Sequence, residues 1–153
     1  MTADYKIAII GSGPGGLSAA GHAAELNVPH VLIEKSSHLS DTLFKFQKGK
    51  FVMSTPDVLP LRSPMPFAAG KREDILDNWD DTSASLKVNV RLNSEVVGIE
   101  GEKGNFTIKM ADGATVTAET VILGIGLQGN LNKLRVPGAD LPHIQYQLDD
   151  PDE

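Results

Sequence analysis

A glycine cluster near the start of the chain restricts its fold more than any other feature. Gly11-Ser12-Gly13-Pro14-Gly15-Gly16 follows directly on an apolar run, Ile7-Ala8-Ile9-Ile10. A short continuous apolar run of this kind reads as a strand buried on both faces, as in a parallel sheet. Residues 14–26 are rich in alanine and other small side chains, which suits a helix lying close on a sheet. Pro14 fits a first helical turn. Asn27-Val28-Pro29 ends the helix, and Val31-Leu32-Ile33-Glu34 reads as a second buried strand. Strand, helix and strand together make a βαβ unit with a right-handed crossover.

Residues 36–68 are expected to be irregular. Pro56, Pro60, Pro64 and Pro66 crowd this stretch, and proline suits neither a helix interior nor a central strand. A loop of this length in a compact domain is usually either functional or a sign of missing partners. Residues 71–83 suit a polar helix with Ile75, Leu76 and Trp79 on one side, and Val88 to Leu92 reads as a third parallel strand. After Ser94 the pattern shortens. Glu95 to Glu100, Phe106 to Met110 and Ala114 to Ala118 read as strands. Glu102-Lys103-Gly104-Asn105 joins the first two, and Asp112-Gly113 is a strong hairpin signal for the third. A separate apolar strand, Thr120 to Leu123, then runs into Gly124-Ile125-Gly126. The expected class is α/β: a Rossmann-like parallel sheet with a βαβ start and an inserted three-stranded antiparallel meander.

Composition removes several kinds of chemistry. The 153 residues contain no cysteine, which excludes disulfides, Cys-ligated metals and thiol redox steps within the chain. The formal net charge is −6, which argues against a nonspecific nucleic-acid binder. Asp149, Asp150, Asp152 and Glu153 concentrate acid at one end. No apolar run is long enough for a transmembrane helix, and the first residues lack a signal-peptide pattern. A cytoplasmic location is the expectation. His22, His30 and His143 show no ligand spacing, so no metal is expected. Ser12 and Ser18 lack the context of a hydrolase nucleophile. Lys45, Lys48, Lys50, Arg62, Lys71 and Arg72 look scattered and read as a solvated face.

The glycine cluster has the form G-x-G-x-x-G between a strand and a helix, the context that gives this short pattern its weight. Gly11 makes the tight turn, Gly13 lets the backbone approach a pyrophosphate, and Gly16 permits close helix–strand packing. The helix N-terminus offers unpaired N–H groups and a partial positive charge to phosphates. Glu34, at the end of the second strand, can accept hydrogen bonds from ribose hydroxyls. Its charge disfavours a 2′-phosphate, and hence NADP, at this position.

With these residues in place, the chain resembles the two-dinucleotide-binding-domain flavoproteins. Within them it is most similar to the pyridine nucleotide-disulfide oxidoreductase, or thioredoxin-reductase-like, branch. Gly11 to Ala20 with Glu34 resembles their first dinucleotide motif, which binds the ADP half of FAD. Thr120 to Gly126 resembles the later strand and glycine turn that pass near the FAD. Leu134-Arg135-Val136-Pro137-Gly138-Ala139 is similar to the Pro-Gly stretch that follows. The resemblance implies FAD as cofactor. It implies cofactor contacts from Gly11, Ser12, Gly13, Pro14, Gly15, Gly16, Glu34, Lys35, Val97, Gly124 and Gly126. Val96 or Val97 would set a backbone amide near the adenine, and the alternative for both is a place in the meander core. His38, Asp41, Thr42 and Gln47 fall in the segment that runs along the flavin in the family. His38 is there either a proton donor to the ring system or an exposed loop histidine.

Two departures shape the functional expectation. The family's cysteine pair is absent, so disulfide reduction by this chain alone is excluded. The second G-x-G-x-x-G, for NAD(P)H, is absent too. Residues 1–126 are therefore expected to form the FAD-binding domain, and 127–153 a connection towards an NAD(P)H domain outside this sequence. The expected parent activity is an FAD-dependent NAD(P)H oxidoreductase with an unidentified electron acceptor, and the chain alone is expected to be an incomplete, inactive fragment. A flavin monooxygenase, a noncatalytic FAD- or NAD-binding module using residues 54–66 as a contact surface, and an NAD-only site are the alternatives.

Overall fold

The computed structural model describes residues 3–54, 61–127 and 132–146. Its first unit is β1 (Tyr5–Ile10), α1 (Pro14–Glu25) and β2 (His30–Ile33). The next segment holds α2 (Asp41–Phe44) and β3 (Phe51–Val52), and β4 (Gly70–Lys71) leads into α3 (Arg72–Ser85). The chain continues through β5 (Val90–Arg91), β6 (Val96–Glu102), β7 (Asn105–Met110) and β8 (Thr115–Leu123). Six strands form one sheet in the order β5-β2-β1-β8-β7-β6, and β3 pairs with β4 separately. The four strands from β5 to β8 are parallel, whereas β8-β7-β6 is antiparallel. This is the parallel sheet with a βαβ start and a meander that the sequence predicts.

Alternation along the strands sorts the core into two layers. Ile9 and Leu32 face α1 and pack with Leu17, Ala20, Leu43, Met65, Ile75 and Trp79. Ala8, Ile10, Val31 and Ile33 point the other way and join Ile108, Met110, Val116 and Ala118 of the meander. The expected polar helix is α3. Its buried side carries Ile75 and Trp79, and half-buried Leu76 packs beside them.

Two expectations need correction. The meander's third strand and the last parallel strand are one element, β8. Its first part pairs with β7, its second part pairs with β1, and Ala118 is paired on both sides, with Tyr5 and Phe106. Glu119 does not interrupt it, because its side chain reaches Lys6 in solvent (2.6 Å). Residues 36–68 are not irregular throughout, since they contain α2 and β3. Within the proline-rich segment Leu61, Arg62, Pro64 and Pro66 are exposed, but Met65 anchors it to the core. Met65 is 2% exposed and lies over Gly21, where an added Cβ would stand 2.7 Å from its Cγ. The Trp79 indole N–H donates to the Pro66 carbonyl (2.6 Å), and Phe67 meets the Trp79 ring edge-on. Pro56 and Pro60 lie outside the described residues, as do the four terminal acids.

The basic side chains are less scattered than their spacing suggests. Lys45 pairs with Asp41 (2.7 Å), Lys50 lies over the Phe46 ring, and Arg72 pairs with Glu73 (2.9 Å) and bonds the Phe44 carbonyl. His30 is buried and structural. Its Nδ1–H donates to the Val28 carbonyl (2.8 Å), and its Nε2 accepts the Asn89 N–H (3.2 Å), which ties β2 to the start of β5. At the hairpin, the Ala114 N–H is bound by the Asp112 carboxylate (2.9 Å), while Gly113 takes the positive φ of 85° that the turn requires. No helix among the described residues is long and apolar enough to cross a membrane.

Candidate functional site

The carboxyl ends of β1, β2 and β8 meet at one edge of the sheet, where open α/β sheets place their ligand sites. β1 ends in the glycine turn. The Gly11 N–H donates to the Ile33 carbonyl (2.8 Å), and the Gly124 N–H to the Ile10 carbonyl (2.7 Å), so the turn is fixed from both sides.

The glycines of this edge fall into two groups. Gly11, Gly16 and Gly124 are required by the protein's own packing. Gly11 has φ 95°, and a Cβ on it would stand 2.6 Å from the Gly124 carbonyl oxygen. A Cβ on Gly16 would stand 1.8 Å from the Gly11 oxygen, and one on Gly124 3.1 Å from the Gly16 nitrogen. Backbone meets backbone here, so nothing can move aside cheaply. Gly13 and Gly15 differ: a Cβ on either would meet no protein atom within 4 Å. Gly13 has φ −66° and ψ −179°, values open to any residue. Nothing in the described protein demands glycine at these two positions.

Gly13 is also the N-cap of α1. It supplies no side-chain cap, Pro14 follows, and the first turn carries no acid. The positive end of the helix therefore faces the open side of the turn with no carboxylate of its own to neutralise it.

Glu34 is 6% exposed and Ser12 fully buried. Glu34 Oε2 accepts from the Ser12 N–H (2.9 Å) and the Ser12 hydroxyl (2.6 Å), while Oε1 accepts from the Ser36 N–H (2.9 Å). The carboxylate thus ties β2 to the glycine turn. An ionised carboxylate has about four acceptor sites, so one remains, on Oε1. The residues before β6 pass this same end of β2, with the Ser94 N–H on the Glu34 carbonyl (2.9 Å) and the Asn93 N–H on the Ser36 carbonyl (3.0 Å). Val97 follows at a bulge in β6 and is exposed, whereas Val96 packs on the core. Lys35 is exposed beside Glu34. Gly126 has φ 61° and open space around it.

His38 faces another direction. Its ring stacks on Phe44 with centroids 3.8 Å apart, and Nε2 lies 3.1 Å from Asp41 Oδ1. Burial pushes the Asp41 carboxyl up, but Lys45, by hydrogen bond and charge, with Ser36 and His38, reverses this and holds it below its ordinary value. His38, Phe44, Arg72, Glu73, Asp77 and Asp80 line a cleft of about 280 Å³ between α2 and α3. Burial, then the charges of Asp77 and Asp81, push the Asp80 carboxyl up against the opposing pull of His38. Thr42 is exposed and Gln47 half-buried. No group of three or more His, Asp or Glu side chains among the described residues is placed to hold a metal ion.

Sequence reasoning passed over Ser40. It is 1% exposed and bonded to Ser12 through both its N–H and its hydroxyl (2.9 Å each). A serine in a loop carries no periodicity, so only the fold reveals the contact.

The profile of the family described as pyridine nucleotide-disulphide oxidoreductase matches residues 8–153. Among curated proteins, the ferredoxin–NADP reductase of Leuconostoc citreum is 27% identical over 137 residues, covering 89% of this chain and 38% of that protein. Among solved structures, the bacillithiol disulfide reductase Bdr (YpdA) of Staphylococcus aureus superposes with a TM-score of 0.75 at 25% identity, over 93% of this chain and 44% of that one. Lactococcus lactis thioredoxin reductase gives 0.68 at 22% identity, over 88% and 39%, a likeness of fold alone. The chain spans less than half the length of each.

Proposed function

Because the chain belongs to the pyridine nucleotide-disulphide oxidoreductase family, we propose that its glycine turn binds the ADP half of FAD. In this reading the chain is the FAD-binding portion of an NAD(P)H-dependent flavin oxidoreductase. The observation that carries it is the open pair Gly13 and Gly15 beside the closed trio Gly11, Gly16 and Gly124. Glycine where the protein leaves space is explained by a ligand that comes close to the backbone. A pyrophosphate meets that description, because the first amides of α1 point there and no side chain neutralises them. The remaining acceptor site of Glu34 then takes a ribose hydroxyl. Gly11, Ser12, Gly16 and Gly124 shape the turn, and Gly13, Pro14 and Gly15 form its ligand side. Val97, Lys35 and Gly126 stand around the same edge, the first placing its backbone towards the adenine.

When bound, FAD would carry the electron transfer, and the protein would bind, orient and tune it. Residues 1–126 are the FAD-binding unit in this reading, and 127–153 lead on from it. The hydride donor NAD(P)H would be held by another unit. The named relatives include a bacillithiol disulfide reductase and a ferredoxin–NADP reductase. With no cysteine in this sequence, these residues by themselves supply no thiol for disulfide exchange, and a quinone, a redox protein or a small molecule is open as acceptor.

The test is an FAD titration of the chain, followed by flavin absorbance and fluorescence, with NAD as competitor. Saturable binding that excess NAD leaves in place supports the reading. NAD binding without FAD binding overturns it in favour of a nicotinamide site.

A further inference from the structure

Ser40 is unusual for a residue that opens a helix. It occupies the N-cap of α2, where a serine oxygen ordinarily accepts from the helix's own first amides. Here it makes no such bond, and its backbone is left-handed with φ 56°. Serine takes that conformation only where its surroundings impose it. Both donors of Ser40 go instead to the glycine turn. Its N–H donates to Ser12 Oγ, and its own Oγ donates to the Ser12 carbonyl. Ser12 Oγ in turn donates a hydrogen bond to Glu34 Oε2. The donors run one way, from the Ser40 amide through the Ser12 hydroxyl to the Glu34 carboxylate. All three residues are buried.

We propose that Ser40 is a positioning residue for the nucleotide. Through Ser12 it fixes the rotamer of Glu34, so that the one acceptor site left on Oε1 is aimed at a ribose hydroxyl. This rests on the reading of the turn as a dinucleotide site, and adds that ribose recognition is set by a residue that never touches the ligand. A purely structural Ser40 would support the loop and leave recognition unchanged.

The two roles separate in a comparison of ligands. ADP and 2′,3′-dideoxy-ADP differ only in the ribose hydroxyls, so the ratio of their Kd values reports the Glu34 contact. The unsubstituted chain is expected to prefer ADP by roughly tenfold, the scale of one hydrogen bond to a charged group. In Ser40→Gly, glycine accepts φ 56° without strain and keeps the amide donor, but the hydroxyl bond that holds the Ser12 peptide is lost, which loosens the middle of the relay. The expected result is a ratio that falls towards one, with the dideoxy affinity and the thermal midpoint little changed. Ser12→Ala, which removes the middle oxygen of the relay, should narrow the ratio as well. An unchanged ratio in both variants, with the unsubstituted chain still preferring ADP, overturns the positioning role and leaves the proposed binding site standing. An unsubstituted chain that binds ADP without preferring it overturns the ribose contact and this inference together. Absence of ADP binding counts against the proposed function itself.

Discussion

The two sides of the β1–α1 turn are built from the same residue type for opposite reasons. On the closed side, Gly11, Gly16 and Gly124 bring three backbone segments together with no room for a methyl group. On the open side, Gly13 and Gly15 meet nothing. The first group explains how the chain folds; the second has no explanation inside the fold. A single glycine pattern in a sequence therefore carries two kinds of information, and only a structure divides them.

The division predicts opposite outcomes for one substitution. Gly16→Ala should have the largest effect, because its methyl group would overlap the Gly11 carbonyl oxygen. We expect a loss above about 4 kcal/mol, or no folded protein, in urea unfolding. A stable Gly16→Ala chain would erase the distinction. Met65→Ala comes next, at about 2–5 kcal/mol, as for other buried large-to-small changes. Its unfolding curve tests whether the segment around Met65 is part of the core that begins at α1. Gly15→Ala should reverse the sign. Alanine there lies in a helix and meets open space, so stability should rise by about 0.4–1 kcal/mol, read as a higher thermal midpoint.

The smallest effect is expected at the far end of the sheet. The Thr117 hydroxyl and N–H hold the Asp4 carboxyl below its ordinary value of 3.8. Gly49, the Glu73 N–H itself and Arg72 do the same for Glu73, below 4.5. A carboxyl lowered in the folded state stabilises above its unfolded pKa, and that contribution disappears as pH falls through the folded value. Stability should thus decline below about pH 4, and Asp4→Asn should flatten part of the decline in acid titrations of the thermal midpoint. Both groups are open to solvent, so the change is small.

Much of this fold was legible in the residues. Ile7 to Ile10, the glycines and Val31 to Ile33 carry period, punctuation and spacing that few other folds would tolerate. The continuity of β8 was not legible, because Glu119 and Thr120 look like a break. Glu119 sits in the strand because its side chain escapes to Lys6, a contact between opposite ends of the sequence. The packing of Met65 was hidden for a similar reason, since it depends on a missing Cβ at Gly21. At the site, Glu34 stood out as a strand-end acid, but its bonds to Ser12 and Ser36 did not. Those bonds form only when β1 and β2 are side by side.

The central claim is that the open side of the turn is kept clear for a ligand, and Gly13→Ala tests it most directly. The variant and the unsubstituted chain are titrated with FAD, and their unfolding is measured in parallel. The account predicts a stability loss of no more than about 1 kcal/mol, the cost of alanine for glycine at a helix N-cap, and FAD affinity at least roughly tenfold weaker in the variant. A folded variant with equal FAD affinity would contradict it, because Gly13 would then be open for no reason connected with the cofactor.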